Sequence, residues 1–113
     1  MILVGVSLSV LVLAGCKPIP PPTPLAQLNE QQAHGHDVFQ SHCGSCHNDR
    51  RNGALNGPSL RGTFKKEYLP SGAPANDERV VSTIRFGRGM MPPMAGTMDS
   101  GDLDDLMAYL HTL

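Results

Sequence analysis

Cysteine and histidine stand close together at residues 43–47, where the sequence reads Cys-Gly-Ser-Cys-His. This spacing is the attachment signature of c-type haem, in which two thiols bond to the vinyl groups on one porphyrin edge and the next histidine ligates the iron. The pattern predicts one covalently bound haem c on Cys43 and Cys46, with His47 as an axial ligand of the iron.

Two other uses of paired cysteines fit these residues less well. A thioredoxin-type redox pair follows a strand, and strand patterns are absent from this sequence. A structural zinc site needs further ligands. His34, His36 and His42 are available, although positions two apart do not share one face of a helix. The residues therefore favour haem attachment.

The first residues of the chain predict export from the cytoplasm. Residues 2–14 are apolar or small and uncharged, which suits a signal peptide and falls short of the roughly 20 residues of a membrane-spanning helix. Residues 13–16, Leu-Ala-Gly-Cys, resemble the lipobox of bacterial lipoproteins. This resemblance implies lipidation of Cys16, which becomes the first residue after cleavage, and Lys17 beside it implies outer-membrane sorting in a Gram-negative cell.

The odd number of cysteines agrees with a lipoprotein, because acylation of Cys16 leaves the other two as a functional pair. The basic region that usually opens a signal peptide is missing, however. Two alternatives remain open, an ordinary signal peptide with Cys16 as a free thiol and an uncleaved anchor.

A proline-rich stretch separates the export signal from the rest of the chain. Residues 18–24 read Pro-Ile-Pro-Pro-Pro-Thr-Pro, which predicts an extended polyproline spacer of about 3.1 Å per residue. We expect it to leave the following domain free to reorient. The expected division is a signal peptide at 1–15, the lipidated cysteine and tether at 16–27, and one folded domain at 28–113.

Three helices are predicted to position the haem motif. The first covers residues 29–42, the second is capped by Asn76 or Asp77 and stops at Gly87, and the third is capped by Asp99 or Ser100. The third has the clearest apolar stripe, at positions 103, 106, 107, 110 and 113. The domain is therefore predicted to be all-α. Because it contains few aromatic residues, a bound haem would supply much of its apolar centre.

The order of these segments resembles the class I cytochromes c. The resemblance includes a helix, the attachment motif, a Gly-Pro-x-Leu segment, a Met-Pro segment and a closing helix with Tyr-Leu. It implies three main helices and loops wrapped around one haem. It further implies that Gly35 and Phe39 on the first helix contact Tyr109 and Leu110 on the last.

The same resemblance assigns roles around the iron. It implies that the carbonyl of Pro58 accepts a hydrogen bond from His47 and so orients the ring, and it includes Leu60 among the haem-binding residues. Taken alone, Pro58 could equally be an ordinary turn proline. Met91, which precedes two prolines, is predicted to be the sixth ligand of the iron.

Met91 is one of four methionines in a single loop. Met90 and Met94 remain alternative ligands, and we expect Met94 and Met98 to fill gaps in the core.

The predicted function is one-electron transfer in an extracytoplasmic chain, with no enzymatic activity, no small-molecule substrate and no nucleic acid. Residues 50–88 contain eight basic side chains and three acidic ones, which predicts either a basic docking face for acidic redox partners or a mixed solvated surface. Two alternatives keep the haem: a fixed subunit of a dehydrogenase or oxidase complex, and a haem-based sensor.

Overall fold

The computed structural model describes residues 15–113, so the core of the predicted signal peptide lies outside the described residues. The described chain contains three α-helices, α1 (Glu30–His42), α2 (Asp77–Phe86) and α3 (Asp102–Leu110). Short 3-10 turns occur at Leu25–Gln27, Thr63–Lys65 and Ala95–Thr97. Residues 15–113 form no strand beyond two isolated bridges, and none of their helices could span a membrane. The all-α prediction is confirmed.

The first two helices begin and end where the sequence predicts. Asn29 caps α1 by accepting a hydrogen bond from the Gln32 amide at 2.8 Å, and the Gln32 side chain accepts from the Asn29 amide at 3.0 Å. This reciprocal pair is a capping box, which satisfies two amides that the helix leaves without a partner. Asn76 caps α2 by accepting a single hydrogen bond from the Arg79 amide, and Gly87 ends the helix with a φ of 73°.

The start of α3 differs from its prediction. Neither Asp99 nor Ser100 caps it, because the residue before the helix is Gly101, which has a φ of 91° and no side chain to accept a hydrogen bond. The carboxylate of Asp102 instead accepts from the Asp99 amide at 2.9 Å. The left-handed turn at Gly101 therefore precedes the helix directly. The Asp99 and Asp102 side chains do not cap the helix amides, and the bond between these two residues stabilises the turn.

The main packing contact of the fold is the crossing of α1 over α3. Gly35 is buried so close to α3 that a Cβ there would touch the Asp105 carbonyl oxygen and lie 2.8 Å from the Cβ of Tyr109. The Phe39 and Tyr109 rings, both fully buried, lie 6.0 Å apart. The predicted contact of a small residue and aromatic rings between the first and last helices is therefore present.

Candidate haem-binding site

The attachment motif follows directly from the end of α1. Cys43 is the residue that ends the helix, and its amide donates to the Phe39 carbonyl at 2.8 Å. The amides of Cys46 and His47 then return to the Cys43 carbonyl at 3.0 and 2.9 Å. One tight turn therefore holds both cysteines and the histidine together at the end of a helix that the core fixes in place.

The two thiols of the motif have different surroundings. Cys43 is half-buried against the core, and this burial, with a smaller effect of Cys46, raises the pKa of the Cys43 thiol to about 11. Cys46 is exposed, and neither residue forms a disulfide. Both sulfurs are therefore available for thioether bonds, and Cys43 keeps its proton at neutral pH until such a bond forms.

The imidazole of His47 is oriented by the loop that follows. Its Nδ1 donates a hydrogen bond to the Pro58 carbonyl at 2.7 Å, so the proton lies on Nδ1 and the lone pair on Nε2. Nε2 has no hydrogen-bond partner among residues 15–113. The predicted contact between His47 and Pro58 is present. It selects the tautomer in which Nε2 is unprotonated and can bind a metal.

Gly57 is a site residue whose individual role the sequence analysis missed. A Cβ at this position would lie 2.5 Å from Cε1 of His47, 2.8 Å from Nδ1 and 3.0 Å from Nε2. The Gly57 amide also donates to the Cys46 carbonyl at 2.8 Å. The ring of His47 therefore lies directly against bare backbone. The Gly-Pro dipeptide was the available signal, and it indicates a turn more often than a close approach.

Replacing Gly57 by alanine should displace the His47 ring and strain its bond to Pro58. Overpacking of this kind costs about 1–3 kcal/mol, and we expect that loss in thermal unfolding of the holoprotein, together with a changed haem spectrum. Pro58→Ala is the matched control, since it keeps the carbonyl that accepts from Nδ1. If Gly57→Ala left the spectrum and the unfolding temperature unchanged, the contact would have no role in positioning His47.

The methionine segment forms a tight turn beyond α2. Arg88 and Met91 exchange two backbone hydrogen bonds of 2.9 Å, which places Gly89 and Met90 at the tip of the turn. The side chain of Met90 is 90% exposed, whereas that of Met91 is half-buried against the core. The turn therefore presents one methionine to solvent and directs the next inward.

Met94 and Met98 agree with the expectation that they fill gaps, since both are half-buried beside the core. The Met94 amide donates to the Ile84 carbonyl at 2.8 Å. This bond fastens the methionine segment to α2.

The residues present fit a haem. The free Nε2 of His47 is a nitrogen ligand without a competing partner, and Cys43, Leu60 and Met91 come from three separate segments to lie half-buried on one core cluster. These apolar side chains are partly exposed to solvent, and a large apolar ring bound against them would bury the exposed part. The structure thus offers a ligand for iron, thiols for attachment and apolar contacts.

The zinc alternative finds no support in the described part of the chain. His34 bonds Asp105 at 2.7 Å, His36 lies near Gln40, and His42 lies near Thr97. No group of three or more His, Cys, Asp or Glu side chains among residues 15–113 could hold a metal ion. The thioredoxin alternative also fails, because a helix precedes Cys43.

The site is tied to α3 by a polar contact that sequence patterns did not indicate. The hydroxyl of Tyr109 donates to the carboxylate of Asp49 at 2.7 Å, two residues beyond His47. Burial first, and then this contact, raise the pKa of the tyrosine above its ordinary value. Tyr109 therefore stays protonated and fixes the segment after the attachment motif to the helix crossing.

Comparison with known proteins agrees with this site. Residues 30–110 match the family described as cytochrome C oxidase, cbb3-type, subunit III. Cytochrome c6 of Synechocystis is 32% identical over 69% of this chain and 62% of its own length, and that of Euglena viridis is 30% identical over 69% and 87%. Cytochrome c6 of Tetradesmus obliquus is 28% identical over 68% and 84%.

No solved structure matches the chain significantly. The matched residues begin with α1 and end with α3, so they include the attachment motif and the helix crossing. The chain therefore belongs to the class I c-type cytochromes: it is a monohaem electron carrier, not an enzyme, whose one haem c is bound covalently through Cys43 and Cys46.

Proposed function

We propose that this cytochrome is a lipid-anchored carrier outside the cytoplasm, with its iron held between His47 and Met91. The observation that supports this most directly is the bond from His47 Nδ1 to the Pro58 carbonyl, which leaves Nε2 free to bind iron. The turn that buries Met91 and exposes Met90 supports the second ligand.

The haem supplies a one-electron couple, and the side chains around it determine how that couple is used. His47 keeps its proton on Nδ1 against Pro58, which increases the basicity of Nε2. A thioether ligand from Met91 would be neutral and soft, and it would favour the reduced state and so raise the potential. With His47 and Met91 both holding the iron, no position would remain for a substrate, and the haem would supply one-electron transfer alone.

The optical spectrum of the purified holoprotein tests the ligand pair. We expect the oxidised protein to show the weak long-wavelength charge-transfer band of methionine-ligated haem, and the reduced protein to bind carbon monoxide poorly. Absence of that band, together with tight binding of carbon monoxide, would mean an open sixth position. A sensor or ligand-binding function would then replace electron transfer.

A fixed place in a larger complex is the second candidate function. It is favoured by one observation, that the matched family is described as a subunit of a cbb3-type cytochrome oxidase. Purification in mild detergent separates the two candidates. A carrier elutes alone, whereas a subunit elutes with a large partner.

An exposed apolar spot beside the methionine turn is the proposed docking surface for redox partners. Phe86 is 75% exposed and Met90 is 90% exposed. The exposed Arg85 precedes Phe86, and the exposed Arg88 is two positions from each apolar residue. An apolar centre with a charged rim is typical of protein interfaces. The basic rim favours an acidic partner, which it would attract over long range.

The double substitution Arg85→Ala and Arg88→Ala should slow electron transfer to an acidic partner by about tenfold at low salt. A strongly acidic copper electron-transfer protein serves as the probe in stopped-flow measurements. The double substitution Arg51→Ala and Arg79→Ala removes equal charge elsewhere and is the control. Equal slowing by both pairs would mean that overall charge, and not this surface, governs docking.

The anchor is assigned to Cys16, which is exposed and unpaired and is therefore accessible to acylation. Cys16→Ser should release the cytochrome from membranes into the soluble fraction with its haem spectrum unchanged. Fractionation followed by a haem stain on a denaturing gel measures this directly. Membrane association that survives the substitution would contradict a lipid anchor.

A further inference from the structure

The proline-rich segment does not behave as the free spacer that its composition predicts. Its residues 19–24, here called the strap, are fastened to the domain at two points. At one end Ile19 lies against Gly62. At the other, the Thr23 amide donates to the Thr112 carbonyl at 2.8 Å, and Arg50 Nη2 donates to the Thr23 carbonyl at 2.6 Å.

The sequence of the strap suits these contacts. Thr23 is flanked by Pro22 and Pro24, and it is the only residue of positions 20–24 with a backbone amide proton. That single donor is the one that bonds Thr112. The prolines lower the entropy cost of fixing the strap, because their φ angles are restricted before the contact forms.

Gly62 forms the other attachment point of the strap. It has a left-handed φ of 67°, and a Cβ at this position would occupy the place of the Ile19 side chain. Glycine adopts this φ without strain, and because it has no side chain it also leaves room for Ile19. The side chain of Ile19 is half-buried there, although the neighbouring Pro18 and Pro20 are exposed.

The position of this contact limits how far the domain can stand from an anchor on Cys16. Ile19 is three positions after Cys16, and a fully extended chain covers at most about 11 Å over that length. A lipid on Cys16 would therefore hold Ile19 and Gly62 within about 11 Å of the headgroup region. The side of the domain around Gly62 must then face the bilayer.

Basic residues adjoin this contact in the sequence. Lys17 lies between the anchor and the strap, and Arg61 adjoins Gly62. Lys65, in the turn after Gly62, is engaged with a backbone oxygen of Leu113 at 2.7 Å, and the neighbouring Thr112 carbonyl accepts from the Thr23 amide. Glu67 is the one acidic residue in the neighbouring stretch 61–67. The excess of basic groups suits anionic lipid headgroups.

We propose that the strap clamps the domain to an anionic membrane surface, with the face around Arg61, Gly62 and Lys65 against the headgroups. This orientation rests on the proposed lipidation of Cys16. The strap fixes the orientation of the domain relative to the membrane, so the domain does not rotate freely on its tether and shows its partners the same face. Electron transfer in the anchored state is then limited to partners that reach the sides of the domain facing away from the bilayer.

The test uses the lipidated holoprotein in phosphatidylglycerol nanodiscs that contain a gadolinium chelate on some headgroups. Paramagnetic broadening of amide NMR signals reports the distance of each residue from the headgroups. We expect amides 61–65 and 112–113 to broaden most and those of the other surface segments to broaden less. Uniform broadening, or a maximum elsewhere, would overturn the proposed orientation and leave the face around Arg61 free for an acidic protein.

The strap itself is tested by removing its contacts. The double variant Ile19→Ser with Thr23→Pro deletes the apolar contact and the amide donor, whereas Ile19→Val with Thr23→Ala keeps both. The first should abolish the unequal broadening, and the second should preserve it, with identical haem spectra. If the first pair also preserved the pattern, the strap would not set the orientation.

These experiments separate the orientation from the anchor on which it depends. Failure of the anchor appears as membrane binding that Cys16→Ser does not change. Failure of the orientation appears as equal broadening in a protein that Cys16→Ser does release.

Discussion

Gly35→Ala is expected to lower the free energy of unfolding of the holoprotein by about 3 kcal/mol. The added methyl group would meet the Asp105 carbonyl oxygen and carbon and the Cβ of Tyr109, the carbon atoms at 2.6 and 2.8 Å. Alanine is about 1 kcal/mol better than glycine inside a helix, but that gain cannot offset a collision with backbone. The two helices must separate, and the contact between Phe39 and Tyr109 opens with them.

A domain of this size should lose about 15 °C in unfolding temperature for such a change. Circular dichroism at increasing temperature measures it. Gly96→Ala makes the same chemical change where no atom lies within 4 Å, so it should change stability by less than about 0.5 kcal/mol. Equal unfolding temperatures for the two variants would show that the helices tolerate a wider crossing.

Sequence patterns predicted the elements whose signals are local. Asn29 and Asn76 cap helices through amides three residues on, and the glycine that ends α2 has a positive φ of 73°, which glycine adopts readily. The apolar stripe of α3 also appears in the structure, where Leu106, Met107 and Leu110 are buried. Each of these features depends on residues within one or two helical turns of each other.

Other features depend on residues far apart in the chain, and the sequence did not indicate them. The Tyr109 hydroxyl donates to the Asp49 carboxylate across sixty positions. Ile19 meets Gly62 across more than forty positions. A proline-rich stretch has the same composition whether it is free or fastened, so only the tertiary contact separates the two.

In the candidate site, too, the local features were predictable from the sequence and the contacts between distant residues were not. The spacing from Cys43 to His47 is fixed by the chemistry of attachment, and it was readable because the three residues lie within one turn. The bond from His47 to Pro58 was expected only through the family resemblance. The close approach of Gly57 to the imidazole depends on how the two segments fold together, so sequence patterns could not predict it.

The prediction of Met91 among the methionines rested on the family resemblance, because Met90 and Met91 are adjacent and chemically identical. The turn closed by Arg88 and Met91 separates them, because Met90 is at its tip and Met91 is at its closing end. One thioether is therefore 90% exposed, and the next is half-buried beside the core. Burial favours Met91 as the iron ligand because water does not compete for the position.

Met91→Ala should accordingly lower the reduction potential by a few tenths of a volt, within the roughly 0.8 V range over which axial ligands act. Loss of the soft ligand removes the preference for reduced iron and opens the sixth position. Protein-film voltammetry measures the potential, and the oxidised spectrum should lose its methionine charge-transfer band.

Met90→Ala is the matched control, since it removes the same side chain one residue away, where that side chain is exposed. We expect its potential and its spectrum to remain those of the original protein. Met94→Ala should keep the band but lower stability, because Met94 packs on the core and its backbone is held by Ile84. Loss of the band in Met90→Ala or Met94→Ala, with Met91→Ala unchanged, would move the ligand to that methionine. Since Met90 is at the tip of the turn, its ligation would require the bonds between Arg88 and Met91 to break.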